Sequence, residues 1–135
     1  MTTKRLLCGV TAGAALIAGI ACSPGTPPMG PEPVEPKNVT WDVTNSVGSA
    51  ISLKFFDRTT GAVWPGSTTY WALDAGERQT YKLSCNKDSQ ICFGAALSKN
   101  RNYYWGVGLD NRSGCQGCCH VCGSGDPTPL SLRSQ

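Results

Sequence analysis

Val39-Thr40-Trp41-Asp42-Val43-Thr44 and, a few residues on, Ile51-Ser52-Leu53-Lys54-Phe55-Phe56 decide the fold. Apolar and polar residues alternate in both, the period of a strand with one face buried and one face wet. Working outward, Thr68 to Leu73, Gln79 to Cys85, Ile91 to Leu97 and Tyr103 to Leu109 are further strand candidates. Asp57-Arg58-Thr59-Thr60-Gly61, Asp74-Ala75-Gly76-Glu77 and Ser98-Lys99-Asn100-Arg101-Asn102 read as the turns between them. Val63-Trp64-Pro65-Gly66 falls in a turn-rich stretch where strand pairing is not expected. No window carries a helical period. The expectation is an all-β fold: a small antiparallel β-sandwich or barrel of six to eight short strands, stapled by disulfides.

The composition sets the limits. The chain has 135 residues, 40% hydrophobic and 16% charged, with 16 Gly, 9 Pro and 8 Cys. One small domain fits in that length. The net charge is +3, and without Lys4 and Arg5 the 10 remaining basic residues face 9 acidic ones, leaving +1. That balance excludes a polyelectrolyte surface for nucleic acid.

The organisation reads in four parts. Residues 1–21 are a signal peptide: cationic at the start, then uncharged from Leu6 to Ala21, too short and too rich in Gly and Ala to span a bilayer. Residues 22–37 hold 6 of the 9 prolines and no aromatic residue, and read as a polyproline-type tether. Residues 38–125 are the Cys-rich β domain, and residues 126–135 are expected to be a flexible tail. Gly19-Ile20-Ala21-Cys22 resembles the lipobox of bacterial lipoproteins. That resemblance implies a thioether-linked diacylglycerol and N-acylation on Cys22, with membrane anchoring as the result. Ser23, at a position where Asp commonly retains such proteins in the inner membrane, implies the outer membrane. Ordinary signal cleavage at the same bond is the alternative, and it exports the chain equally.

Six cysteines remain beyond Cys8 and Cys22: Cys85, Cys92, Cys115, Cys118, Cys119 and Cys122. An even count in a small exported domain predicts a disulfide framework. Six cysteines allow 15 pairings. Adjacent strand residues point to opposite faces, so Cys118 and Cys119 should take different partners. Cys85 and Cys92 flank what looks like a hairpin tip and could bridge across it. Alternatively each could staple the Gly-rich segment 114–123 to the sheet, and at least one such long-range bridge is expected. The rival reading is a metal or thiol-active cluster of Cys115, Cys118, Cys119, Cys122 and His120, because two C-x-x-C pairs have thiolate-knuckle spacing. Abutting pairs within eight residues strain a tetrahedral site, and an oxidising compartment opposes free thiolates. No cofactor is expected.

Nothing in the spacing of residues requires an enzyme. His120 is the one histidine, locked between Cys119 and Val121, where a Cys–His dyad rarely reaches working geometry. Asp57, Asp74, Glu77, Asp88 and Asp110 sit in or beside turns, where Asp has a local role. The binding candidates are Trp64, Arg101, Tyr103 and Tyr104. Tyr103-Tyr104-Trp105 places three aromatics in one strand, so at least one faces outward, next to Asn and Arg. Such a patch suits stacking on a sugar ring or contact with a protein. A further likeness is of pattern: Ile91-Cys92-Phe93-Gly94-Ala95, Tyr104-Trp105-Gly106-Val107-Gly108 and GCQGCCHVCG (residues 114–123) resemble a small Cys-rich module of exported bacterial proteins, with no activity implied. The functional expectation is a non-catalytic, lipid-anchored binding or structural module of the cell envelope, with a glycan or protein ligand.

Overall fold

A computed structural model describes residues 35–135. Cys22, the signal peptide and the tether up to residue 34 lie outside the described residues. Among the described residues nine strands form, more than the six to eight expected: β1 (Pro36–Asn45), β2 (Ile51–Asp57), β3 (Val63–Trp64), β4 (Trp71–Leu73), β5 (Arg78–Asn86), β6 (Gln90–Leu97), β7 (Asn100–Gly106), β8 (Cys119–Val121) and β9 (Leu130–Leu132). Among the described residues no helix is long and apolar enough to cross a membrane. Two sheets result. One has the order β5-β1-β9. The other has β2 and β6 at its centre, with β3 and β4 sharing the outer edge of β2, and β7 and β8 sharing the outer edge of β6.

The alternation works as its period requires. Val39, Trp41 and Val43 of β1 are buried, with Tyr81 and Leu83 of β5 beside them. They face Ile51, Leu53 and Phe55 of β2 and Ile91, Phe93 and Ala95 of β6. An aromatic cluster fills the space between the sheets. Trp41 lies 5.3 Å from Phe55 and 6.0 Å from Phe93, Phe55 lies 5.4 Å from Tyr81, and Tyr81 lies 4.7 Å from Trp71, all in tilted or edge-on contacts. Such pairs add about 0.5–1.5 kcal/mol each beyond area burial. The turn at Asp57 forms as expected: its Oδ1 accepts the Thr59 and Thr60 N–H groups at 2.8 and 2.9 Å.

Besides a β7 that starts at Asn100, inside the expected Ser98–Asn102 turn, the structure departs from expectation in five places. First, Ser52 and Lys54, expected to face solvent, are buried, because the outer face of β2 is covered as well as the inner one. Lys54 Nζ donates to the Ser67 carbonyl at 2.8 Å, in the segment that crosses this face. Secondly, Val63–Trp64 is a strand: the tight Asp57–Gly61 turn returns it alongside Phe55 and Phe56. Thirdly, residues 126–135 are not loose. Leu130–Leu132 pairs in parallel with Val43–Asn45, Leu132 is buried, and Asp126 Oδ1 accepts the Thr40 N–H at 2.9 Å. A three-residue edge strand has too little sequence to show a period, so its backbone pairing is invisible from composition. Fourthly, β1 begins inside the expected tether, with Pro36 opposite Asn86 and Lys37 opposite Cys85. Fifthly, residues 86–89 are a corner and not a hairpin tip: β5 belongs to one sheet and β6 to the other.

That corner explains the sulfur. Cys85 bonds to Cys122 across 37 residues, tying the β5 edge to the segment after β8. Cys92 bonds to Cys119, directly opposite it in the β6–β8 ladder. Cys115 pairs with Cys118 within the preceding loop. Cys118 and Cys119 therefore take different partners, and two bridges are long-range, while Cys85 and Cys92 do not bond each other. In the chain-entropy picture each long-range bridge is worth about 4 kcal/mol. Paired cysteines fit an oxidising, extracytoplasmic compartment.

Candidate functional site

Two glycines make the site possible. A Cβ on Gly94, in β6, would lie 1.8 Å from the Gly108 carbonyl oxygen, so the chain after β7 passes directly over the sheet there. Gly106 turns that chain back at φ +63°, with the Phe93 carbonyl 2.2 Å from where its own Cβ would be. Only glycine accepts both the conformation and the contact. Residues 107–113 consequently fold back beside β7.

The facing wall comes from a bulge. Leu97 pairs with Asn100, yet Ala96 pairs with Tyr104, so Arg101, Asn102 and Tyr103 stand out of the ladder. The Asn102 N–H is held by Asn100 Oδ1 at 3.2 Å. Between bulge and loop lies a groove of about 380 Å³, lined by Arg101, Asn102, Tyr104, Gly108, Asp110 and Ser113. That is within the range of small-ligand pockets, which begins near ~300 Å³. A Cβ at Gly108 would lie 3.2 Å from Asp110 Oδ1 and 3.6 Å from the Tyr104 ring, so carboxylate and ring flank the same glycine.

Both walls are braced. Arg58, just past β2, donates from Nε to Asn111 Oδ1 at 3.0 Å and from Nη2 to the Ser113 carbonyl at 3.1 Å. The Arg112 N–H donates to Asp110 Oδ1 at 3.2 Å. On the other side the Arg101 guanidinium sits 5.2 Å from the centroid of the Tyr70 ring.

The four binding candidates divide. Arg101 and Tyr104 line the groove, both exposed, Tyr104 at 44%. Tyr103 instead packs edge-on against Trp105 at 5.2 Å, and its hydroxyl accepts the Gln135 N–H at 2.7 Å. Trp64 is half-buried in β3 against the core. Of the three consecutive aromatics Trp105 is buried and Tyr104 faces out, as strand geometry requires. Sequence reasoning missed Asp110 and Ser113 as lining residues. In sequence Asp110 reads only as a turn residue, and no spacing rule foretells that a glycine-permitted fold-back brings it to β7.

The expected sulfur cluster is partly assembled. Sγ atoms of Cys115, Cys118 and Cys119 lie within 4.8 Å of one another. Cys122 is drawn away by its bond to Cys85, and His120 Nε2 lies 2.7 Å from the Gly125 carbonyl. A carbonyl only accepts, so that nitrogen carries the proton. The His120 ring stands edge-on to Trp41 at 6.4 Å. The structure thus brings three of the five proposed metal ligands together and turns the other two elsewhere.

No family model, curated protein or solved structure matches the chain.

Proposed function

We propose that this chain is a non-catalytic binding module of the bacterial cell envelope, exported by residues 1–21, anchored through a lipid on Cys22, and using the β7 groove to hold a glycan. The observation that carries the reading is the groove itself: an exposed Tyr104 ring beside a guanidinium, a primary amide, a carboxylate and a hydroxyl. Aromatic faces stack on the apolar faces of pyranose rings, and planar amide, guanidinium and carboxylate groups exchange hydrogen bonds with neighbouring hydroxyls. The bracing by Arg58 and Tyr70 supports it too, since pre-organised walls reduce the ordering cost of binding. Export and anchorage rest on the sequence: the lipobox-like Gly19 to Cys22, and the paired cysteines that suit an oxidising compartment.

Two measurements test it. Fractionation of cells should find the chain in membranes, and Cys22→Ser should release it with the domain still folded; a wild-type chain already free after export refutes the anchor. Tyr104→Ala should lose retention on envelope glycan fractions with little change in melting temperature, because that ring projects into solvent. Retention equal to wild type refutes the groove. Trp64→Ala, packed on the core, should lower the melting temperature instead.

The rival reading draws on the proximity of the Cys115, Cys118 and Cys119 sulfurs. It predicts thiols that react with an alkylating agent once metal is chelated. The disulfide reading predicts none.

A further inference from the structure

Building on the glycan reading, we infer that the ligand is an acidic saccharide, a pyranose carrying a carboxylate, whose charge is received by Arg101 and whose hydroxyls are received by Asp110, Asn102 and Ser113.

The argument begins with the cation. Among the described residues the ion pairs are Lys37 with Glu35 and Arg78 with Asp42, so within them neither Arg101 nor Asp110 has a partner of opposite charge. The Tyr70 ring holds the guanidinium by its face. A contact with a ring face uses up no carboxylate, and the fork of guanidinium N–H groups matches the two oxygens of one. A guanidinium with no carboxylate partner among the described residues, beside a groove, suits an anion supplied from outside.

Local charge agrees. Arg101 is the one cation and Asp110 the one carboxylate lining the groove, and the exposed Arg112 lies in the same loop as Asp110. With Arg112 counted, two cations meet one carboxylate in the segment from Arg101 to Ser113. A bare inorganic anion would leave Tyr104 and Asp110 with nothing to do, and the carboxylate would repel it. A neutral sugar would offer Arg101 hydroxyl acceptors but no charge to meet the guanidinium. An acidic sugar uses both: its carboxylate meets Arg101, its ring face covers Tyr104, and its hydroxyls donate to Asp110, whose Oδ1 already takes one backbone N–H.

Calorimetric titration of the chain as exported tests this, with oligogalacturonate, neutral oligogalactose and inorganic phosphate as probes. The uronate should bind, and the neutral sugar should bind at least about tenfold more weakly, the loss expected when one charge-assisted pair of about 1.5–3 kcal/mol is missing. Arg101→Ala should remove that preference, and Arg101→Lys should restore only part of it, since an ammonium cannot engage both oxygens as the fork does. Equal affinity for the two sugars, or an Arg101→Ala chain that binds uronate like wild type, overturns the inference. Phosphate binding as tightly as uronate, unaffected by Tyr104→Ala, overturns it as well. If neither sugar binds but envelope retention still depends on Tyr104, the acidic-sugar inference fails and the groove reading stands. If retention is also insensitive to Tyr104, both fail.

Discussion

The β1–β2–β6 sandwich and the segment from Val107 to Gly125 are built on opposite principles. In the sandwich, apolar side chains every second residue meet across two sheets, and the aromatic rings of Trp41, Phe55, Tyr81 and Phe93 fill the space. In the C-terminal segment few large side chains are buried. It is held by the Cys92–Cys119 and Cys85–Cys122 bonds, by glycines that let backbone lie on backbone, and by hydrogen bonds such as Phe93 N–H to the Cys118 carbonyl at 3.0 Å. Side-chain burial makes the body, and crosslinks with close backbone contact place the C-terminal segment on it. The difference predicts that damage to each region will look different.

The largest effect should come from the sandwich. Phe55→Ala empties the centre of the aromatic cluster and should cost about 3–5 kcal/mol, read as a drop in the denaturant midpoint with unchanged cooperativity. A loss under about 1 kcal/mol would mean that the rings do not carry the core. Gly94→Ala attacks the other principle: its new methyl would collide with the Gly108 carbonyl. An overpacking cost of about 1–3 kcal/mol is expected, together with loss of groove binding, because the 107–113 fold-back must lift. If Gly94→Ala binds and melts like wild type, that fold-back is misplaced.

Asn45 sharpens the comparison from the loops. It is fully buried, its Nδ2 lies 2.9–3.0 Å from the carbonyls of Ser49, Leu73 and Asp74, and its Oδ1 accepts the Val47 N–H at 2.9 Å. Asn45→Ala leaves those groups short of partners and should cost about 1–2 kcal/mol, with faster amide exchange at Val47. The smallest effect is one of pH. Burial, with a lesser contribution from the Glu77 charge, pushes the Tyr81 hydroxyl up to about 12 from an ordinary 10.0. The folded state therefore favours the neutral phenol, and this share of stability is intact below pH 10.0 and lost as pH rises from there toward about 12. Tyr81→Phe should flatten that alkaline decline; an unchanged profile would assign it elsewhere.

Legibility followed the same divide. Val39, Trp41, Val43, Ile51, Leu53 and Phe55 declare their buried face because a period of two is a local property. The different partners of Cys118 and Cys119 followed from adjacency. The sheet switch at residues 86–89 did not, since a turn sequence looks the same whether the next strand pairs back or crosses to another sheet. The tail strand Leu130–Leu132 was hidden for a like reason: its order comes from the open edge of β1, a partner far away in sequence. In the groove, Arg101 and Tyr104 were legible as exposed polar and aromatic neighbours. Tyr103 and Trp64 carried the same signal yet pack inward, a distinction set by the bulge in β7 and by the hairpin after β2.

The central claim, that crosslinking and not metal binding places the C-terminal segment, is tested most directly by peptide mapping of the purified chain under non-reducing conditions. Three linked pairs should be recovered, Cys85 with Cys122, Cys92 with Cys119 and Cys115 with Cys118. Free thiols at these positions in the folded protein, released together with a bound metal ion, would contradict it.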